Sequence, residues 1–280
     1  MNIAVLMTCH NRRETTLRCL ASLHKATRQA EVGDQGEQFR LHVFLVDDGS
    51  TDGTGEVVLK WYVGLPSSSA STFDLDLVAG NGDLYWAKGM ALAWREALKH
   101  EDDIRSSAST FNFDLFLWLN DDTVLNPDAI STLLRSHADN PNAVINGTLV
   151  DNAGEPVYGL NVRNVGLAGN CVLVPRTVYD KVGIICDQYA HAWADRDYGL
   201  QVERAGFELV SAGIVGCAEW HELRPSLKGL TLKKRLSLLT DPKGWNVHDL
   251  WLLRCRNWNV FYALTSCVHL IVHVIIGKHE

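Results

Sequence analysis

Three β-type runs in this chain each break off into a polar or acidic cluster, and that placement constrains the fold more than any other feature. Ile3–Met7 runs into Thr8-Cys9-His10-Asn11. Leu41–Val46 runs into Asp47-Asp48-Gly49-Ser50-Thr51-Asp52, and Phe113–Leu119 into Asn120-Asp121-Asp122. A parallel sheet sets the carboxyl ends of its strands along one rim, where ligands bind. The three clusters are therefore expected to share one site.

The text between these runs supports such a sheet, because it alternates strand-like and helical spacing. Asn11 is placed to cap a helix in which Leu17, Leu20 and Leu23 recur. A helix is expected around Val57–Tyr62, a short strand at Leu75–Val78, and a helix from about Ala87 to Leu98. Asn126-Pro127-Asp128 reads as a helix start. Beyond Ala143 the spacing predicts strands near Val144–Val150 and Phe207–Val215. Helices are expected at Thr177–Val182 and Asp195–Ala205, the latter closed by Gly206. From Arg224 onward the text is helical. The fold class is α/β: a mixed, mainly parallel sheet flanked by helices, with a helical C-terminal appendage and no clean linker. The string Ser-Ser-Ala-Ser-Thr-Phe occurs twice, at Ser68–Phe73 and Ser106–Phe111. Both copies precede strands, so both are expected on the edge of the sheet away from the clusters.

Composition narrows the function classes. A net charge of −7 argues against general nucleic-acid binding, which needs a basic surface. Seven scattered cysteines without a C-x-x-C pair read as reduced thiols of a cytoplasmic protein. Met1–Met7 reads as a first strand, not a signal peptide. Trp258–Gly277 has no Asp, Glu, Lys or Arg and just reaches the roughly 20 residues of a membrane span. It carries Asn259, Thr265, Ser266, His269 and His273, which makes a buried or membrane-surface helix the expectation.

Asp121-Asp122 leaves a buried apolar run, and hard cations such as Mg²⁺ and Mn²⁺ prefer such carboxylates. A cation there clamps the phosphates of a nucleotide diphosphate; the pair equally fits turn acids after a strand. Asp47-Asp48-Gly49-Ser50 suits a ribose or base contact, or an acidic turn before a cap. Gly80-Asn81-Gly82 permits a tight turn near a ligand. Asp195 and Asp197 open a helix beside Trp193. An apolar wall raises carboxylate basicity as a general base requires, whereas the helix N-terminus opposes it. His221 suits a metal shell or a structural role.

Taken in order, Met7–Arg12, Val46–Asp52 and Leu119–Asp122 resemble a family 2 glycosyltransferase of the GT-A fold. Gly82–Met90 resembles the donor-loop-and-helix segment of bacterial members. Gly169–Arg176 is similar to their segment before the acceptor site, and Asp195–Leu200 with Arg204–Phe207 to the region of the catalytic base. The resemblance implies a GT-A domain over 1–222, with a nucleotide-sugar half to about 125, an acceptor half to 222, and the appendage over 223–280. It implies that Thr8, His10, Asn11, Asp48, Asn81, Trp86, Lys88 and Asp121 serve the nucleotide sugar. Asp48 would meet the uracil or thymine, and Asp121 the ribose or a metal water.

By the same resemblance, Asp122 and His221 hold Mn²⁺ or Mg²⁺, and Asp195 is the base. Asn170, Trp193 and Asp197 lie on the acceptor side. A UDP- or dTDP-sugar donor and a glycan or lipid-linked acceptor follow, with inversion in cell-surface polysaccharide synthesis and peripheral contact with the inner membrane face. The chain departs from the family where Ala194 replaces the Glu that often precedes the base. No Gln-x-x-Arg-Trp occurs, which points away from processive synthesis. Arg254-x-Arg256-Asn257 looks like a tail of cell-surface polysaccharide enzymes. A sugar-phosphate nucleotidylyltransferase and a non-catalytic nucleotide-sugar binder remain the alternatives; the first lacks an early Gly-rich triphosphate loop here.

Overall fold

The computed structural model describes residues 1–32, 38–66, 72–106, 111–162, 166–218 and 226–277. Four parallel strands form the first half: β1 (Asn2–Cys9), β2 (Arg40–Asp47), β3 (Phe73–Ala79) and β4 (Leu115–Leu119). Their order in the sheet is β3-β2-β1-β4, so the chain reverses its direction of travel between β1 and β4. In open α/β sheets that reversal opens a crevice at the strands' carboxyl ends. The second half continues the sheet with β8 (Cys171–Pro175) antiparallel to β4, then β6 (Val144–Val150), β9 (Leu209–Ala218) and β5 (Thr123–Leu125). A short β7 (Pro156–Tyr158) pairs with β6.

Helices cover both faces, which is why the central strands are apolar throughout rather than alternating. Ile3, Val5 and Met7 pack with Leu20 and Leu23 of α1 (Arg13–Val32), Val58 of α2 (Thr54–Val63) and Ile130 of α4 (Ala129–Asp139). Ala4 and Leu6 pack on the other face against Met90 and Trp94 of α3 (Tyr85–Ser106). That face is shared with Val178 of α5 (Arg176–Val182) and Tyr198 of α6 (Ala194–Arg204). The strands expected at β1, β2, β3, β6 and β9 are present, extended by one to three residues at some ends.

Two expectations meet a different local solution. Asn11 does not cap α1; it sits in the left-handed region at φ 52°, which Asn tolerates, and its Oδ1 accepts the Thr51 amide at 2.7 Å. Asp52 takes over at the helix start, accepting the Arg13 amide at 3.1 Å. The loop after β2 thereby caps the helix after β1. Phe113 stays outside β4 because its amide donates to the buried carboxylate of Glu101 on α3, at 2.6 Å. The strands β5, β7 and β8 carried no recognised periodicity, being three, three and five residues long. Most of both Ser-Ser-Ala-Ser-Thr-Phe strings lies outside the described residues. No disulfide joins the cysteines.

The appendage comprises α7 (Leu232–Ser237), α8 (Val247–Asn257) and α9 (Val260–Ile276). No helix among the described residues is long and apolar enough to cross a membrane. α8 is fastened to the domain by two buried carboxylates. Asp249 accepts the backbone amides of Ala190 and His191 at 3.1–3.2 Å. Asp197, on α6, accepts from Arg256 Nε at 3.0 Å and Asn257 Nδ2 at 2.6 Å. Removing one partner of a buried charged pair leaves the rest desolvated and unsatisfied, at a cost of roughly 3–5 kcal/mol. Arg256 reaches solvent, which reduces the figure. Asp197→Ala is therefore expected to lower unfolding stability by about 2–3 kcal/mol in urea titration. A change under about 0.5 kcal/mol, the scale of an ordinary surface substitution, would show that this pair does not fasten the appendage.

Candidate functional site

The crevice between β1 and β4 is a cavity of about 270 Å³. Its lining includes Thr8, His10, Asp48, Trp86, Asp121, Asp122 and Asn170. Seven of the residues singled out in the sequence thus converge on one space. Side-chain hydrogen bonds fix His10, Asp48, Trp86, Asp121 and Asp122. The Nδ1–H of His10 donates to the Asp48 carbonyl at 2.5 Å, and its Nε2 accepts from Asn11 Nδ2 at 3.0 Å. That pairing selects the Nδ1–H tautomer.

Asp48 is buried, and its carboxylate organises the loop opposite. It accepts the amides of Gly82, Leu84 and Tyr85 at 2.8–3.1 Å. Gly80 has to be glycine for this closure, since a Cβ there would come within 2.8 Å of the Asp48 Cα. Tyr85 follows at φ 55°, a backbone state costly for an aromatic residue. Such strain is held where the surroundings over-determine it, and here the Asp48 bonds do so.

Asp121 and Asp122 lie side by side at the end of β4, both buried. Arg12 Nη1 bridges them, at 3.1 Å from Asp121 Oδ1 and 3.0 Å from Asp122 Oδ2. One guanidinium does not neutralise two adjacent buried carboxylates. Burial outweighs the Arg12 attraction and pushes the Asp121 carboxyl up to about 7, and the Asp122 charge raises it further. Clustered, buried oxygen ligands short of positive charge suit a hard divalent cation. The donor set fits Mn²⁺ or Mg²⁺.

Trp86 connects this pair to Asp195. Its Nε1–H donates to Asn120 Oδ1 at 2.8 Å, beside the diacid. Its ring packs on Gly169, and Asp195 lies beside the same position. The Gly169 amide donates to Asp195 Oδ2 at 3.0 Å, and Oδ1 accepts the Arg196 amide at 2.8 Å. Burial raises the Asp195 pKa, and these two amides pull it back in part. The opposition between an enclosing wall and a helix start, left open by the sequence, resolves toward the wall.

Asp195 stands behind Trp86 and Gly169 and does not itself line the cavity, and the other residues also fall elsewhere. Asn11 lines an adjoining groove with Arg12, Arg13, Asp52 and Lys243. Asn81 is exposed and its Oδ1 accepts the Asp83 amide. Lys88 lies one turn into α3 and lines neither space. Trp193 precedes α6 at φ 75°, with the Arg196 guanidinium 5.6 Å from its ring centroid. Asp197 is turned to α8 rather than to the cavity. His221 lies outside the described residues.

The cavity also takes Arg12, Tyr85, Asn120, Tyr158, His191 and Lys243, none of which the sequence reading placed in the site. Arg12, Tyr85 and Asn120 stand within the quoted motifs, so their position carried the signal. Tyr158 ends the three-residue strand β7, and His191 and Lys243 come from unpatterned loops; tertiary packing brings all three in.

Residues 4–67 match the family model described as Glycosyl transferase family 2. Among solved structures, S. aureus TarS 1–349 in complex with UDP-GlcNAc is 12% identical, with 98% of this chain and 72% of that chain covered at a TM-score of 0.58. The mannosyltransferase PcManGT from Pyrobaculum calidifontis, in complex with GDP-Man and Mn²⁺, is 14% identical (99% and 76% covered, TM-score 0.52). Glucosyl-3-phosphoglycerate synthase from Mycobacterium tuberculosis, in complex with Mn²⁺, uridine-diphosphate and glucosyl-3-phosphoglycerate, is 14% identical (92% and 80%, TM-score 0.51). Likeness at these identities establishes the fold. No protein of curated function matches the sequence.

The Gly169 contact generates a test of the site's geometry. A Cβ at this position would stand 2.5 Å from Trp86 Cζ2 and Cη2 and 3.2 Å from Asp195 Cβ. Gly169→Ala is expected to cost about 1–3 kcal/mol, as overpacking does, and to shift Trp86 emission by displacing the indole. Unchanged stability and emission would mean that the wall yields freely and does not fix Asp195.

Proposed function

We propose that this chain, of glycosyltransferase family 2 by its residues 4–67 and of the GT-A fold throughout, is an inverting, metal-dependent hexosyltransferase. The donor is a UDP- or dTDP-sugar and the acceptor a hydroxyl of a glycan or lipid-linked oligosaccharide. The observation that supports the reading is the continuous train Asp121–Asn120–Trp86–Gly169–Asp195, which links the buried acidic pair to a second buried carboxylate through one indole.

Thr8, His10 and Asp48 line the end where the nucleoside would lie, and Lys243 and Arg12 stand at the adjoining groove. Asp122 would hold the divalent cation, with Asp121 meeting the ribose or a metal water, and the cation would supply charge neutralisation at the leaving diphosphate. Asp195 takes the proton from the acceptor hydroxyl, whose oxygen attacks the anomeric carbon opposite the leaving group. The configuration inverts in that single displacement. Gly169 and Arg196 amides orient the carboxylate. The raised pKa strengthens it as a base, provided the medium keeps it ionised. The domain division is read as nucleotide half to about 125, acceptor half to 222, appendage beyond.

Asp195→Asn is expected to lower the transfer rate by about 10²–10⁴-fold, the range of one general base, while nucleotide affinity is retained. In the unchanged chain the rate should rise with pH as Asp195 ionises, a limb absent from the variant. Asp122→Ala should abolish the Mn²⁺ dependence of donor turnover. Full transfer activity in Asp195→Asn would remove Asp195 from the mechanism, and nucleotide binding without turnover of any donor or acceptor would leave a binding module.

The appendage supports contact with an anionic membrane surface. Phe261, Leu264, Val268, Val272 and Ile275 recur at helical spacing on α9, and all are exposed. Arg254 lies 4.8 Å from the ring centroids of both Trp258 and Tyr262. Arg235 of the basic stretch Lys228–Arg235 bonds the Ile275 carbonyl at 2.7 Å, which sets positive charge beside the apolar face. Apolar area with flanking cations is the pattern of an interfacial helix. The chain should co-sediment with vesicles containing phosphatidylglycerol, and Val268→Asp should release it without altering turnover of a soluble donor. A chain indifferent to such vesicles would refute the contact.

A further inference from the structure

The end of the sheet opposite the crevice gathers a second set of donors. His42 lies near the start of β2, Asp76 on β3 and His100 on α3. One ligand atom from each falls within 4.8 Å of the other two. His42 Nε2 is 3.1 Å from Asp76 Oδ2, and His100 Nδ1 is 3.9 Å from the same oxygen. A strand rises about 3.3 Å per residue, so His42 stands roughly 20 Å along β2 from Asp48. The two places do not share residues.

Three observations set this trio apart from an incidental ion pair. His42 Nε2 is buried and, although close to Asp76, lacks the alignment of a hydrogen bond. The two imidazoles face one another edge to plane, with centroids 4.4 Å apart and planes at 75°. Both are held by aromatic neighbours. His42 stacks on Phe44 at 4.4 Å and 14°, and His100 meets Phe44, Phe111 and Phe113 at 5.7–6.2 Å. An edge strand often carries a lone charge to discourage pairing, which accounts for Asp76. It does not account for two imidazoles converging on that carboxylate.

We propose that His42, Asp76 and His100 form a binding site for a zinc-type divalent cation, separate from the carboxylate site in the crevice. Two nitrogen donors and one carboxylate oxygen select zinc, nickel or copper over Mg²⁺ and Mn²⁺, which prefer oxygen. Zinc bonds to nitrogen and oxygen are about 2.0–2.2 Å, which places tetrahedral ligand atoms roughly 3.3 Å apart. Small rotations of His100 and Asp76, the two more exposed members, bring the observed spacing to that value. The fourth position faces solvent at Asp76, so water completes the shell and the ion exchanges. Bound there, the ion ties edge strand β3 to β2 and to α3, whose first turn carries Trp86.

The test uses the full chain, stripped with a chelator and returned to buffer containing millimolar Mg²⁺ to occupy the crevice. Zinc uptake is read by competition with a chromophoric chelator and by the shift of the thermal midpoint. One equivalent of zinc and a raised midpoint are expected. His100→Gln and Asp76→Asn, both at partly exposed positions, should weaken uptake by at least about tenfold and remove the shift. Asp122→Ala should retain both, whatever its effect on glycosyl transfer. Absence of stoichiometric uptake in the unchanged chain overturns the proposal. So does uptake of unchanged affinity in His100→Gln and Asp76→Asn.

Discussion

Two carboxylates buried side by side demand positive charge, and the geometry of the crevice follows from that demand. Asp121 and Asp122 sit at the end of a fully buried strand, where solvent does little to screen their repulsion. Arg12 answers with one nitrogen placed between them. It reaches that position because β1 ends in a turn through Asn11 before α1 begins, and Ser50, Thr51 and Asp52 hold that turn from the loop after β2. The order β3-β2-β1-β4 makes these loops neighbours. The remaining charge deficit is what the proposed cation would supply, so topology and the proposed cofactor chemistry meet at one point.

Elsewhere carboxylates are used on backbone amides rather than on cations. Asp48 gathers the Gly82, Leu84 and Tyr85 amides, Asp249 those of Ala190 and His191, and Asp195 that of Gly169. Charge-assisted bonds of this kind are about twice as strong as neutral ones. Each fixes a loop that has no regular structure to hold it. Asp48 therefore has two tasks: it lines the cavity and it holds the wall opposite. A substitution there would remove both together.

The first half of the fold was legible because strand, cluster and helix recur in register with the sequence. Every cluster read at a strand end lies at a strand end, and Thr8, His10, Asp48, Asp121 and Asp122 meet as the rim argument required. The second half was less legible for a physical reason. β5 and β7 are three residues long, and a three-residue strand carries no period. Tyr158 reaches the cavity from the end of β7, and His191 and Lys243 from loops whose course is set by packing, not by local pattern. Asp197 was misleading for the opposite reason. Two carboxylates at one helix start look alike in sequence, yet residues two apart in one turn lie on opposite faces, which sends Asp195 to Gly169 and Asp197 to Arg256 and Asn257.

That division of labour on α6 gives the C-terminal tail a mechanical role. Arg256 and Asn257, two positions of the Arg-x-Arg-Asn string, hold Asp197. Arg204, at the far end of the same helix, bonds Asn257 as well. α6 is thus fixed at both ends to α8, and its first turn carries the proposed base. The segment entering α8 places Lys243 at the groove beside the cavity. The appendage consequently touches both parts of the candidate site: it braces α6, which carries the proposed base, and contributes a cation at the groove proposed for the diphosphate. If α9 rests on a membrane, α8 lies between that surface and the base helix. The acceptor hydroxyl of a lipid-linked glycan would then arrive on the side where α6 is braced. The same buried bonds that hold the appendage to the domain also limit how far Asp195 moves when such an acceptor docks.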